Sequence, residues 1–245
     1  MKTLPRPAPR LLSFLVGSVC LLGCDSKVSQ CNKMVDLLNG AASKMETLQP
    51  NEKDLSQSAK TTRDMSNLAS QTVQELEKLE ITNEGLKQHA EAYRQVLVDM
   101  AKGTGAMAGY MEEMAKLESQ SNGEANAKLE STREAIESQC KTATDECRKI
   151  TEVMSVVPSD AKEDELPDVL GVYASRLKAL ELTGDLKGAV DNHVAAVEEF
   201  IGIVRRAEEL QTQADAAQAE LDNVVSREEK LVAEINGYCV GNPKP

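Results

Sequence analysis

Residues 86–114, LKQHAEAYRQVLVDMAKGTGAMAGYMEEM, decide the fold. Leu86, Tyr93, Met100, Met107 and Met114 stand seven apart, interleaved with Ala90, Leu97, Thr104 and Met111. Seven residues make two helical turns, so this spacing lays one continuous apolar seam along one side of a helix. It predicts a long helix that buries the seam against other helices.

The same alternation of three- and four-residue steps continues on both sides. Upstream it predicts a first helix over 28–48, stopped before Pro50, and a second over 52–80 with Leu55, Ala59, Thr62, Ala69, Val73 and Leu76 on one face. Downstream the Asn122-Gly123 pair marks a break. A fourth helix follows to Val157, aligning Leu129, Ile136, Cys140, Ala143, Cys147, Ile150 and Met154, with Pro158 as its stop. A short fifth helix falls at 167–182 and a sixth at 186–236, where Gly237 fits a C-cap. From Ile203 to Asn236 there is neither Gly nor Pro, roughly 50 Å of uninterrupted rod.

Composition agrees with this reading. The 245 residues contain no Trp, two Phe and four Tyr, and Ala, Leu, Glu, Lys and Gln predominate, as in long helices with a narrow core of small side chains. An internal repeat orders the pieces. Residues 76–100 align with 177–200 after one single-residue gap, pairing Leu76, Leu79, Glu80, Thr82, Leu86 and Lys87 with Leu177, Leu180, Glu181, Thr183, Leu186 and Lys187. Both copies read as tight turns between helices, with Thr82 as an N-cap and Ile81 and Leu86 spaced as a hydrophobic staple. The expectation is an all-α fold: an elongated antiparallel helical bundle of coiled-coil character over 31–239, made of a duplicated three-helix unit. Its halves fall at about 25–121 and 124–239, and 240–245 form a flexible tail.

The amino terminus carries an address. Lys2, Arg6 and Arg10 precede an uncharged, mostly apolar run from Leu11 to Gly23. That run is shorter than the ~20 residues of a spanning helix, and its order is that of an export signal. Its end, Leu21-Leu22-Gly23-Cys24, resembles the lipobox of bacterial lipoproteins. The resemblance implies cleavage after residue 23 and a thioether-linked diacylglycerol on Cys24, the new amino terminus. Residues 24–30 would then be a short lipidated tether. Two or three acyl chains hold a protein on a bilayer almost permanently. Asp25 resembles the enterobacterial signal for retention in the inner membrane; the cell membrane and the outer membrane both remain open, with the bundle facing the periplasm or the cell exterior.

Without residues 1–23 the chain has 25 Lys plus Arg against 40 Asp plus Glu, a net charge of −15. Such a surface repels nucleic acid and anionic headgroups, so the lipid, not electrostatics, must hold the protein at the membrane.

Beyond Cys20 in the signal and Cys24, four cysteines remain: Cys31, Cys140, Cys147 and Cys239. An even number in an exported chain implies two disulfides, and the CxxC pairs and histidines of a zinc site are lacking. Cys140 and Cys147 lie about 10 Å apart if the fourth helix is continuous, too far for a bridge. Under that condition each must reach a terminal cysteine.

Other candidate chemistry is sparse. Met107, Met111 and Met114 could offer thioethers to Cu(I), but methionine in a heptad seam is usually gap-filling core. His89 and His193 lack the Glu-x-x-His spacing of di-iron bundles and read as solvated or half-buried. GTGAMAG (103–109) lacks the Gly-Lys of a phosphate loop, and its small residues suit close helix packing or a kink. No catalytic residue, metal site or cofactor is expected apart from the lipid. The function that follows is a non-enzymatic structural or adaptor lipoprotein acting on an envelope protein close to the membrane. The sixth helix can also pair with itself in a homo-oligomer. The alternative is a small-molecule sensor, for which a pocket near Tyr93, Tyr110 and Phe200 would argue.

Overall fold

In the computed structural model the described residues are 27–50, 54–142, 144–155 and 165–240. They form seven α-helices and one π-helical turn: α1 (Lys27–Thr47), α2 (Leu55–Glu77), α3 (Glu84–Gln120), the π-turn (Ser121–Ala125), α4 (Asn126–Gln139), α5 (Asp145–Met154), α6 (Leu166–Lys178) and α7 (Gly184–Val240). The fold is all-α. The expected seam is buried: Leu86, Ala90, Tyr93, Leu97, Met100, Thr104, Met107 and Met111 all lie inside, while Met114 is half-buried.

Four boundaries differ from the sequence reading. Asn122-Gly123 does not break the chain. The Asn126 N–H reaches back to the Ser121 carbonyl, five residues earlier, so one widened turn carries α3 into α4. The fourth helix, expected to reach Val157, ends at Gln139. Thr144 begins a new helix, its hydroxyl accepting from the Cys147 N–H at 3.1 Å, with Asp145 and Glu146 at the positive end of the helix dipole. The cap on α3 is Asn83 rather than Thr82: Asn83 Oδ1 accepts from the Leu86 N–H at 3.0 Å. Gly237 is not a C-cap, because α7 continues through it to Val240.

Two compact units make up the chain. Among the described residues, one comprises 27–112 together with 212–240, and the other Glu113–Gln211. In the first unit, α1, α2, the amino-terminal part of α3 and the carboxyl-terminal part of α7 share a core that includes Met34, Leu38, Leu76, Leu86, Leu97 and Ile235. A fully buried Met, Leu or Ile contributes about 1.5–3 kcal/mol, so these contacts outweigh the modest propensities of Thr- and Ser-rich α2. Beside it Ala59, Met107, Met111 and Ala214 form a smaller cluster. The second unit has its own core, with Ile136, Ile150, Tyr173, Leu177, Val190, Val194 and Val197.

Glycines of α3 let helices approach closely. A Cβ on Gly103 would stand 2.6 Å from Leu221 Cδ2, and one on Gly105 would stand 3.1 Å from Ser66 Oγ, whereas one on Gly109 meets nothing within 4 Å. Ser66 Oγ itself donates to the Ala101 carbonyl at 2.7 Å. Two otherwise identical changes should therefore have opposite signs. G109A is expected to stabilise by up to ~1 kcal/mol through helix propensity. G103A forces buried Leu221 to move, which costs about 1–3 kcal/mol. Urea midpoints of the two variants check this, and a shared sign would contradict the packing assigned to Gly103.

Candidate functional site at the disulfide-locked end

The first unit is closed at one end by residues from three helices. Gln30, on the first turn of α1, reaches the turn between α2 and α3. Its Nε2 donates to Thr82 Oγ1 at 2.8 Å, and its Oε1 accepts from the backbone N–H groups of Thr82 and Asn83 at 2.9 and 3.0 Å. A bridge joins the next residue, Cys31, to Cys239 near the end of α7, with Cα atoms 5.8 Å apart. Tyr238 closes the ring of contacts. Its hydroxyl donates to Asn83 Oδ1 at 2.5 Å, its ring lies 5.0 Å from half-buried His89, and Lys27 Nζ sits 3.9 Å above it, a cation–π contact. Gly85 leaves room for that ring: a Cβ there would overlap Tyr238, standing 2.8 Å from Cζ.

The second unit has a comparable end. Cys140, the C-cap of α4, pairs with Cys147 on the first turn of α5, with Cα atoms 5.3 Å apart. Glu146 precedes that cysteine as Gln30 precedes Cys31, and accepts from Thr183 Oγ1 at 3.3 Å. The two turns share backbone bonds as well. Leu79 N–H to the Leu76 carbonyl, Ile81 to Leu79 and Lys87 to Asn83 are matched by Leu180 to Leu177, Leu182 to Leu180 and Lys187 to Thr183.

All four cysteines are thus bridged, but the expected pairing of Cys140 and Cys147 with the terminal cysteines is overturned. The condition behind it fails, because the chain turns between α4 and α5 and brings the two Cα atoms within bridging range. Cys24 lies outside the described residues.

Among the other sequence candidates, Met107 and Met111 are core residues, and Thr62 Oγ1 meets Met111 Sδ at 3.7 Å. His193, read as solvated or half-buried, is buried between two hydroxyls: Nδ1 stands 2.9 Å from Thr132 Oγ1 and Nε2 stands 2.9 Å from the Tyr173 hydroxyl. Thr132 Oγ1 also lies 2.8 Å from the Lys128 carbonyl. Its proton goes to that carbonyl, so Nδ1–H donates to Thr132 and Nε2 accepts from Tyr173, an assignment made from the network. The imidazole therefore orders the core and takes no proton from the threonine.

Burial, with Arg133 nearby, lowers the His193 pKa from its ordinary 6.5; burial likewise pushes Tyr173 up to about 12. A depressed histidine contributes stability that is present above the unfolded pKa and lost as pH falls through the folded one. The advantage of wild type over H193N is accordingly expected to shrink below about pH 6.5 in thermal melts at stepped pH. A constant difference would contradict the neutral assignment.

Sequence reasoning missed Glu228. Its side chain is 1% exposed, and Oε1 accepts from the Tyr93 hydroxyl at 2.7 Å while buried Oε2 has no hydrogen-bond partner. The signal was present: Leu221, Val224, Glu228, Leu231 and Ile235 follow three- and four-residue steps, so the acid occupies an apolar position.

Comparison with protein-family models, curated proteins and solved structures found no significant match. The site must be judged on its own chemistry. Among the described residues no three His, Cys, Asp or Glu side chains are grouped to hold a metal ion, and no helix is long and apolar enough to cross a membrane. The described surface includes shallow grooves, and two of them bear on binding. One, of about 210 Å³, lies between α1 and α2 and is lined by Leu37, Gly40, Ala41, Lys44, Leu68 and Gln71 among others. The other, of about 610 Å³, is lined by Asp168, Gly171, Val172, Ser175, Arg176, Ala179 and Arg205. Tyr93, Tyr110 and Phe200 line neither.

Proposed function

We propose that this chain is a bacterial envelope lipoprotein, held on the cell membrane or outer membrane by an acylated Cys24 and acting without catalysis as a structural or adaptor component. The observation that carries the reading is that the chain is already helical at Lys27, three residues after Cys24, combined with the Cys31–Cys239 bridge four residues further on. A lipoprotein working at a distance needs a long flexible tether. Here Asp25 and Ser26 alone separate the lipid cysteine from a locked helical end. The partner is then an envelope protein near the same bilayer. The groove beside Val172, where Arg176 lies with the Arg205–Asp168 ion pair (3.6 Å), offers a docking face.

The intact mass of the native protein tests the anchor. A chain beginning at acylated Cys24 with two disulfides is expected; a free Cys24 thiol would refute it. Crosslinking in cells, followed by mass spectrometry, tests the adaptor role. A stoichiometric envelope protein is expected, and self-crosslinks alone under several conditions would favour the sensor.

The same reading takes the chain as two copies of one plan, with the boundary drawn at the turn between Cys140 and Cys147 instead of at the expected 121–124. In support, α3, the π-turn and α4, of 37, 5 and 14 residues, run on without interruption to Cys140, and α7, of 57 residues, carries Cys239. Each copy has a bridged cysteine in its first described helix and contains one of the matched turns. Each compact unit draws helices from both copies. A protein cleaved between Cys140 and Cys147 and then reduced should therefore remain one particle; separation of the fragments would count against the shared assembly.

A further inference from the structure

We propose that the Cys31–Cys239 end of the first unit rests on the bilayer, with Val28 and Val240 in the interface and the Lys27–Tyr238 pair at headgroup level. The inference rests on the lipid anchor at Cys24 and adds the surface that meets the membrane. Among the described residues the exposed large apolar side chains are Val28, Val98, Val172 and Val240, exposed by 49%, 36%, 54% and 75%. Single exposed valines are ordinary. These four are not evenly spread, because Val28 lies one helical turn from Cys31 and Val240 is adjacent to Cys239, so two of them flank one disulfide.

The tether selects the bilayer as the occupant of this end. Three residue steps from Cys24 to Lys27 span at most about 11 Å. The 21 residues of α1 run for about 31 Å, so only the end carrying Lys27 can be drawn to the surface that holds the lipid. The chemistry there suits an interface. A tyrosine with an apolar ring and a polar tip, under a lysine ammonium, is the kind of side-chain pair that settles at headgroup depth. The bridge and the Gln30 and Tyr238 hydrogen bonds hold both valines on ordered helix ends.

The chain has no tryptophan, so single-Trp variants of the full lipidated protein report on depth without background. V240W and V28W are compared with V98W, which lies 14 residues beyond the start of α3, about 21 Å along it. Each is reconstituted into phosphatidylcholine–phosphatidylglycerol vesicles with and without brominated acyl chains, and flotation is scored in the same samples. The expected result is flotation of all three, with a blue shift and bromine quenching for V240W and V28W and neither for V98W. Floating proteins with all three tryptophans solvated, or with V98W quenched as strongly as V240W, would overturn the membrane face and leave the anchor standing. A protein that fails to float would overturn the anchor and this proposal together.

Discussion

Replacing Cys31 and Cys239 by serine is expected to lower the unfolding free energy by about 5 kcal/mol, against about 2.5 kcal/mol for Cys140 and Cys147. The bridges differ mainly in the chain they close. The first spans a sequence separation of 208 and the second a separation of 7, and the entropy removed from the unfolded chain grows with the logarithm of that length. The long bridge also has a local role. Without it, the ends of α1 and α7 keep only their packing and side-chain contacts, so the Thr82 and Asn83 amides that Gln30 satisfies should lose protection from hydrogen exchange. Urea unfolding of the two double-serine variants, with exchange measured on the first, checks both statements. Equal losses would contradict the loop-length account, and unchanged protection would show that the bridge does not organise this end.

The second large effect concerns the acid in the core. Y93F is expected to cost about 2–3 kcal/mol, because it removes the donor to Glu228 Oε1 and leaves both carboxyl oxygens buried without partners. Adding E228M to Y93F should recover most of that loss, since two apolar side chains leave nothing unsatisfied. A double-mutant cycle gives the coupling directly.

The pH dependence supplies a second readout. Burial raises the Glu228 pKa from its ordinary 4.5, although the Tyr93 hydrogen bond opposes the shift, and burial with the neighbouring acid raises the Tyr93 phenol too. A carboxyl with a raised folded pKa contributes stability that is complete below the unfolded pKa and is lost as pH rises through the folded value. Between about pH 4.5 and neutrality the wild type should therefore lose stability relative to E228M. A difference that does not change with pH would mean that Glu228 is ionised in the core. This slope is opposite in sign to that expected of His193, so the two contributions are separable by variant.

Much of the helical content could be read directly. The seam from Leu86 to Met111 is buried at every predicted position, because a seven-residue period leaves one face apolar whatever the helix packs against. The turns at 78–83 and 179–183 were legible from the repeated Leu, Thr and Lys positions, and they share their hydrogen bonds. Boundaries were less secure where local signals competed. Asn122-Gly123 is a turn signal in isolation, yet one π-turn retains it within a helix whose neighbouring residue Ala125 is buried. At residue 144 the start signal was present, since Thr144, Asp145 and Glu146 form an ordinary helix beginning. Apolar periodicity through Cys147, Ile150 and Met154 hid it by continuing in phase.

The candidate site was legible only in part. The even cysteine number and the expected export implied two bridges, but pairing depends on distances that an uninterrupted helix would have forbidden. Gln30, Asn83 and Tyr238 carried no motif, because residues 52 to 155 positions apart meet only after three helices have packed. By itself the sequence determined the helices, the buried seam, the repeated turn and the even cysteine count, all of which follow from spacing along one chain. Tertiary structure alone decided which cysteines pair, that Glu228 meets Tyr93, that His193 lies in a core, and that Tyr238 caps the turn beside Lys27. Each of these depends on distances between residues far apart in sequence, which periodicity does not encode.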